Sequence, residues 1–571
     1  MPYVVLWCLL IPQAAPPAPP ALANARHDLL RYVPEDAAFV LLAQNLDTRL
    51  ADLAASPFAQ TLRKSGLAAS LTRTKEWQEL LSLQEYLHKH LDLTPADLAE
   101  VLPGEALAFV YRPGPVEKPE QDQGLILLRT RKPEALRKLL DRLNAAQKKS
   151  GELRDLQTVE YHGLPYVRRV ERADTNFYYL HDSLLLFTGQ EALLRDALRS
   201  ARERAAGDSG RFGKLQTALQ DDSATVQLLV NARALDATFA AQARREPASK
   251  PMADYWKALD SLAVSVTWQE DFTLRVHVLG DPKKLPAAGR RFFSAPARRS
   301  EVWSRVPEQP LLALGSQVDL VGLYALLNDF LPPESRQVHE KELERNLGAL
   351  IGRSILKEVL PALGPDWGLY VVAPPSDSRE LFPRALFALR LQTPERDDLD
   401  ETLLEAVHAW AQLAILAHNK LYPEQPARSR PRTIDKSRVR VVEGLPYHLL
   451  PAYALRDGYL VITSHAEEIG RFKASKRPAP RELPLLRVAF GPWREHLSQR
   501  REGWIEFWMR RDGLTRDKAA QRLDDLLGGL KLLERLELIH EAANGRVTLT
   551  LRLTPTQALT ADTSRPSTPR P

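Results

Sequence analysis

Gly163-Leu164-Pro165-Tyr166 returns near the other end of the chain as Gly444-Leu445-Pro446-Tyr447. If the recurrence marks a repeat, flanking residues must recur in the same order. Val33-Pro34-Glu35 returns as Val306-Pro307-Glu308, followed at equal spacing by Gln44 and Gln317. Glu100-Val101-Leu102-Pro103 returns as Glu358-Val359-Leu360-Pro361, and Leu128-Arg129 with Pro133 returns as Leu389-Arg390 with Pro394. Beyond the motif, Asp182, Leu185 and Thr188 correspond to Asp457, Leu460 and Thr463, and Thr273-Leu274 to Thr548-Leu549. Short matches in one order, at offsets near roughly 270 residues, point to an internal duplication. The expected boundaries are 30–280 for the first copy, 281–302 for a basic linker and 303–554 for the second copy. A Thr/Ser/Pro-rich tail, 555–571, is expected to be disordered.

The periodicity inside the copies agrees. Ala37 to Ala43 and Leu311 to Gly315 read as strands. Ala106 to Tyr111 with Leu125 to Leu128, and Gly368 to Val372 with Leu386 to Leu389, read as strand pairs. Their joints, Pro113 to Gln123 and Pro374 to Glu380, are polar and proline-bearing, so they are expected to project with few buried contacts. Pro133 opens a helix with Leu136, Leu139, Leu140 and Leu143 on one face. Thr188 with Glu191, and Ser464 with Glu467, have the spacing of capping boxes. Hairpins are expected from Leu262 to Leu279 and from Leu536 to Leu553, the second turning at Asn544-Gly545. The fold class that follows is α+β: two tandem copies, each a mainly antiparallel sheet with helices packed on one face. In that frame Gly-Leu-Pro-Tyr is a structural motif, and Tyr166 and Tyr447 are expected at equivalent core positions.

The chain has 571 residues, 44% apolar and 26% charged, with a formal charge of +6. That composition supports more than one core and does not demand a nucleic-acid partner. Cys8 is the single cysteine. It lies in the apolar run Val4 to Ile11, which is too short to span a bilayer and is followed by an Ala/Pro stretch and Ala23-Asn24-Ala25. This reads as a signal peptide over 1–25, although Met1-Pro2-Tyr3 lacks the usual basic residue. Cleavage after Ala25 leaves a mature chain without thiols, which excludes disulfides and thiolate sites. The expected location is exported (periplasmic, cell-envelope or secreted), or cytoplasmic if the leader is retained.

The chemistry-bearing residues do not assemble into a motif. His88, His90 and Asp92 lie on a helical stretch where residues two apart diverge, so they form a poor chelate. His408 and His418 lack metal-pair spacing, and Asp397, Asp398, Asp400 and Glu401 read as a helix N-terminus stabilised by its dipole. Arg129 and Arg390, shared by the copies, read as ion-pairing anchors. Arg428, Arg430, Arg432, Lys436, Arg438 and Arg440 form a basic run without interleaved aromatics. It is read first as a solvated loop, with anionic lipid or cell-wall polymer as other partners and nucleic acid disfavoured. No catalytic, cofactor-binding or metal residue is assigned, no cofactor is implied, and no transmembrane helix is expected.

Val33-Pro34-Glu35-Asp36-Ala37-Ala38-Phe39-Val40, the strand–helix pattern after it and the Gly-Leu-Pro-Tyr meander resemble a family of exported bacterial proteins, the domain-of-unknown-function family numbered 3352. The resemblance implies an envelope or extracellular setting and no activity. The expected function is a non-enzymatic envelope binding or scaffold protein using the cleft between its copies. A hydrolase whose site assembles only in three dimensions, or an intracellular interaction protein, are the alternatives.

Overall fold

The computed structural model describes residues 25–65, 72–75, 105–204, 208–219, 223–294, 298–392, 398–475, 484–543 and 545–559, with isolated positions between 77 and 89. The expectations placed on 1–24, His88, His90, Asp92, Glu100 to Pro103, Pro394, Asp397 and Asn544, and on the tail from 560, lie outside the described residues.

The described chain mixes helix with a large antiparallel sheet. The first half supplies β1 (Phe39–Gln44), β2 (Ala106–Arg112), β3 (Gln123–Arg129), β4 (Leu153–Tyr161), β5 (Leu164–Glu171), β6 (Thr175–His181), β7 (Leu184–Thr188), β8 (Val226–Asn231), β9 (Leu259–Trp268) and β10 (Phe272–Gly280). The second supplies β11 (Leu312–Gln317), β12 (Leu363–Val372), β13 (Arg384–Leu391), β14 (Arg428–Ile434), β15 (Ser437–Glu443), β16 (Ala452–Arg456), β17 (Tyr459–Thr463), β18 (Leu486–Ala489), β19 (Leu533–Ala543) and β20 (Arg546–Pro555). Pairing in the first half runs β4-β5-β6-β7-β3-β2-β1-β8-β9-β10. The second half runs in the same order, β14-β15-β16-β17-β13-β12-β11-β18-β19-β20. β10 and β20 then pair antiparallel, joining both halves into one sheet.

Register tests the sequence matches individually. Leu128 faces Leu185 as Leu389 faces Leu460, and Gln44 closes β1 as Gln317 closes β11. Both Leu185 and Leu460 are buried. The motif that opened the comparison behaves differently. Gly163 lies in the β4–β5 turn and Tyr166 in β5, whereas Gly444 follows β15 and Tyr447 occupies a short 3-10 turn before β16. The turn matching His162-Gly163 is Asp435-Lys436, and all four residues have positive φ. That is the signature of a two-residue hairpin whose twist suits the strands. Val439 therefore stands in β15 where Tyr166 stands in β5, and both are buried. Tyr447 is 41% exposed. The expectation of matched core tyrosines at the two motifs is corrected. The tyrosines in matched register are Tyr178, facing Phe187, and Tyr453, facing Ile462.

Other expectations also shift. Helices lie on both faces of the sheet, not one. Glu191–Glu203 packs Leu193, Leu194 and Leu198 against Tyr166 and Leu186. Pro133–Ser150 packs Leu136 on the opposite side, against Leu128 and Leu185. Residues alternate faces along a strand, so Leu185 and Leu186 feed different layers. Neither capping box forms. Thr188 ends β7, donating to Gly124 O and accepting from Gln190 N at 3.1 Å, and Ser464 accepts from Ala385 N, while the helices begin later, with Gln190 and Ala466 at their N-caps. The basic linker contains a helix, Ala287–Ser294, packed on Leu320–Asp329. Chain order also persists past 555, because Leu559 is buried beside Leu53, Leu62 and Leu532. Among the described residues no helix is long and apolar enough to cross a membrane.

Candidate binding cavity at the sheet seam

In each half, one sheet face is the apolar core face, carrying Val40, Ala108 and Leu127 in the first and Ala313, Tyr370 and Ala388 in the second. On that same face the seam turns polar. Arg275 faces Thr550 and His277 faces Thr548 across β10–β20, while Glu541 and Ile539 of β19 face Thr548 and Thr550. His277, Thr548, Thr550 and Glu537 are nonetheless buried. A buried polar group destabilises the fold unless it is bonded, and His277, Thr548 and Glu537 each have a partner here. His277 Nδ1 lies 3.0 Å from Thr548 Oγ1. Glu537 accepts from Arg487 Nε at 2.9 Å and lies 3.3 Å from Arg535 Nε.

Beside this patch is a cavity of about 360 Å³, lined by Arg275, His277, Arg546, Thr548, Thr550, Arg552, Ile539 and Glu541, with Leu219 and Ser223. Its volume falls in the range of small-molecule sites. Three guanidinium groups line it beside the Glu541 carboxylate, Arg552 also lying 4.0 Å from Asp271 and 3.9 Å from Glu537, so the lining suits an anionic or strongly hydrogen-bonding guest. The lining offers donors and hydroxyls, a chemistry of binding. Sequence reading missed this site because its members are alternate residues on three strands from both halves. The signal present was the run of Thr, Arg and His at every second position of Arg275 to His277 and Thr548 to Arg552.

The residues singled out from sequence go elsewhere. Arg129 pairs with Asp28 and lies 3.7 Å from Glu105, and Arg390 pairs with Glu301 at 2.6 Å, so both tie the sheet to neighbouring segments. His408 Nδ1 bonds the Tyr453 hydroxyl, His418 Nε2 lies 3.2 Å from Gln425 O, and Asp398 is held by Arg353. Asp400 and Glu401 lie in the first turn of the helix Leu399–Leu421. The basic run is not a loop: it forms the hairpin β14–β15, with Arg430 and Arg432 both directed to Glu443. The Pro374 to Glu380 joint, expected to be free, is pinned by Arg500, which donates to the carbonyls of Glu380 and Pro375. Phe382 just after it packs on Tyr447, Trp504 and Phe507.

The arrangement nearest to a hydrolase is Ser464–His465–Glu380. Ser464 Oγ is 3.0 Å from His465 Nδ1, and His465 Nε2 is 3.2 Å from Glu380 Oε2. Ser464 Oγ, however, accepts the Ala385 N–H, and His465 is buried. The Glu380 carboxylate also receives two guanidinium bonds from Arg384, at 2.6 and 2.8 Å. The group is a buried ionic clamp.

His496 is buried between Trp493 and Trp504, and burial, then the Arg500 charge, push its pKa down to about 4 from 6.5. The unfolded chain therefore takes up a proton in this interval that the folded chain refuses. Stability is fully present above pH 6.5 and declines as pH falls toward 4, by on the order of 3 kcal/mol from this group. Burial lowers His465 and His540 in the same sense. Equilibrium urea unfolding across that window is expected to show the slope, and His496→Leu to flatten it. An unchanged slope in the variant contradicts the assignment.

No known family model matches the chain, and no curated protein matches it. Among solved structures, crystal form III of TP0453 is similar at 6% identity over 47% of this chain and 87% of that one, with a TM-score of 0.22. That likeness carries no argument about fold or function.

Proposed function

We propose that this chain is a non-enzymatic binding or scaffold protein exported to the cell envelope, built as two tandem copies of one α+β unit. Its ligand is a small anion held in the cavity at the seam. The observation that carries the reading is the conversion of a continuous core face from apolar to polar and cationic where β10 meets β20. A seam serving only to join two halves would be more stable with apolar side chains there. Duplication is supported by the common strand order and by Leu128/Leu389, Leu185/Leu460 and Tyr178/Tyr453 in matched register.

Citrate and pyrophosphate serve as probes of the cavity. Calorimetric titration of the full chain is expected to show saturable binding, weakened roughly tenfold or more by Arg275→Gln or Arg552→Gln through loss of a charge-assisted hydrogen bond. Equal binding by wild type and both variants, or none by wild type, would remove the anion site. Export is checked separately by mass spectrometry of the native N-terminus in fractionated cells. A mature end near Arg26 in the envelope fraction is expected, and an intact Met1 in the cytosol overturns export without touching the cavity.

A further inference from the structure

The helix Leu399–Leu421 carries an apolar stripe longer than the core that covers it. Leu399 and Leu403 are buried against Ile355 and Val359, and Ala406 is buried one turn on. Steps of three and four residues then continue the stripe through Trp410, Leu413, Ala417 and Leu421. There it faces solvent: Trp410 is 52% exposed, Leu413 55% and Leu421 73%, with Leu416 beside them at 64%. Acidic residues stop at Glu405, and none occurs from 406 to 421. Exposed apolar side chains in a contiguous row mark an interaction surface more often than they mark chance.

What adjoins the stripe identifies the partner. Ile415, on the helix's inward side, packs on Val442 of β15, and Asn419 bonds both the N–H and the carbonyl of Ala427. The helix is thereby fixed to the hairpin β14–β15, the outermost strands of the second half. That hairpin carries six cations: Arg428, Arg430 and Arg432 lie on the face away from the helix, the last two directed to Glu443, while Arg438 and Arg440 share the face of Val442 on which the helix packs and Lys436 stands at the turn. Asp435 is occupied by Arg456 and Lys473. An apolar helix face with a tryptophan, rigidly coupled to a cationic edge, has the two components of attachment to a negatively charged lipid surface: shallow insertion of apolar side chains and attraction to headgroups. A protein groove would take the stripe equally well but would leave the excess of cations unexplained.

We propose that the outward face of this helix and the hairpin β14–β15 together dock the protein onto an anionic membrane surface, lying on it without crossing it. The test is flotation of the full chain with vesicles of phosphatidylcholine alone or phosphatidylcholine mixed with phosphatidylglycerol. Wild type is expected to float with the mixed vesicles and to be released by salt. Leu413→Asp and Leu416→Asp, both at exposed positions, are each expected to reduce partition roughly tenfold or more. Circular dichroism unchanged from wild type verifies that the variants fold. A second variant, Lys436→Ser with Arg438→Ser and Arg440→Ser, leaves the helix intact and is expected to abolish the preference for the anionic lipid. Wild type that floats with neither vesicle overturns the proposal. So does self-association that the Asp variants abolish, which would reassign the face to a second copy of the chain, and so do variants that bind as wild type does.

Discussion

Replacing Arg384 with Ala is expected to destabilise the protein by about 3–5 kcal/mol, the range for removing one partner from a buried ion pair. Arg384 is buried at the start of β13, and its guanidinium serves three carboxylates. Glu380 takes two of its hydrogen bonds, Glu467 a third at 2.7 Å, and Glu468, itself fully buried, lies 3.4 Å away. Burial pushes the Glu380 carboxyl up, but the bonds from Arg384 and the nearby His465 outweigh it and hold the acid below its ordinary range. Without the guanidinium, Glu380 and Glu468 must each bury charge poorly compensated or take up a proton. Because those carboxylates form the anchor between the Pro374 to Glu380 joint, β13 and the helix Glu467–Arg471, the loss spreads to three segments. Arg384→Leu combined with Glu380→Leu should recover part of the deficit, since removing both partners spares the unpaired charge. Guanidinium titration decides: a loss below about 1 kcal/mol for Arg384→Ala would mean the cluster is solvated and not a clamp.

The second large effect separates two tyrosines that the sequence presents as twins. Tyr166→Ala is expected to cost about 3–5 kcal/mol, as for any large aromatic deleted from a core. Tyr166 is 1% exposed, packs among Leu193, Leu194 and Leu198, and its hydroxyl donates to Glu191 while accepting from Arg195 at 3.0 Å. Tyr447→Ala is expected to cost about 1 kcal/mol or less, in keeping with a surface position. Tyr447 sits at φ 60°, in the left-handed region, and its ring meets Phe382 and Phe507 only edge to face. Comparable losses in the two variants would restore the equivalence that the register denies.

That contrast shows how far short motifs reach. Gly-Leu-Pro-Tyr encodes a local preference, a turn residue followed by a stiff entry and a ring, and either end of a strand can use it. In the first half it enters β5; in the second it leaves β15. Matches that pin a side chain inside a strand were more informative. Leu185 and Leu460 had to fall on one face once their hairpins paired, because a one-residue slip would turn every side chain to the other side. The capping boxes do not form for a related reason: pairing with β3 and β13 extends β7 to Thr188 and holds Ser464 beside Ala385, so each helix starts later, after Gln190 and Ala466.

By itself, then, the sequence determined what depends on neighbours along the chain: strands from alternation, the hairpins of β9–β10 and β19–β20, the helix opening at Pro133, and the recurrence of these elements in order. Only the tertiary structure decided how the halves meet and where a ligand could sit. β10 and β20 each end their half with an unpaired edge, and an edge strand's hydrogen-bonding groups will accept any strand of suitable length and twist. Which partner they take is fixed by the packing of everything behind them. The polar cavity follows from that choice, since Arg275, His277, Thr548 and Arg552 are brought side by side only when those two edges join.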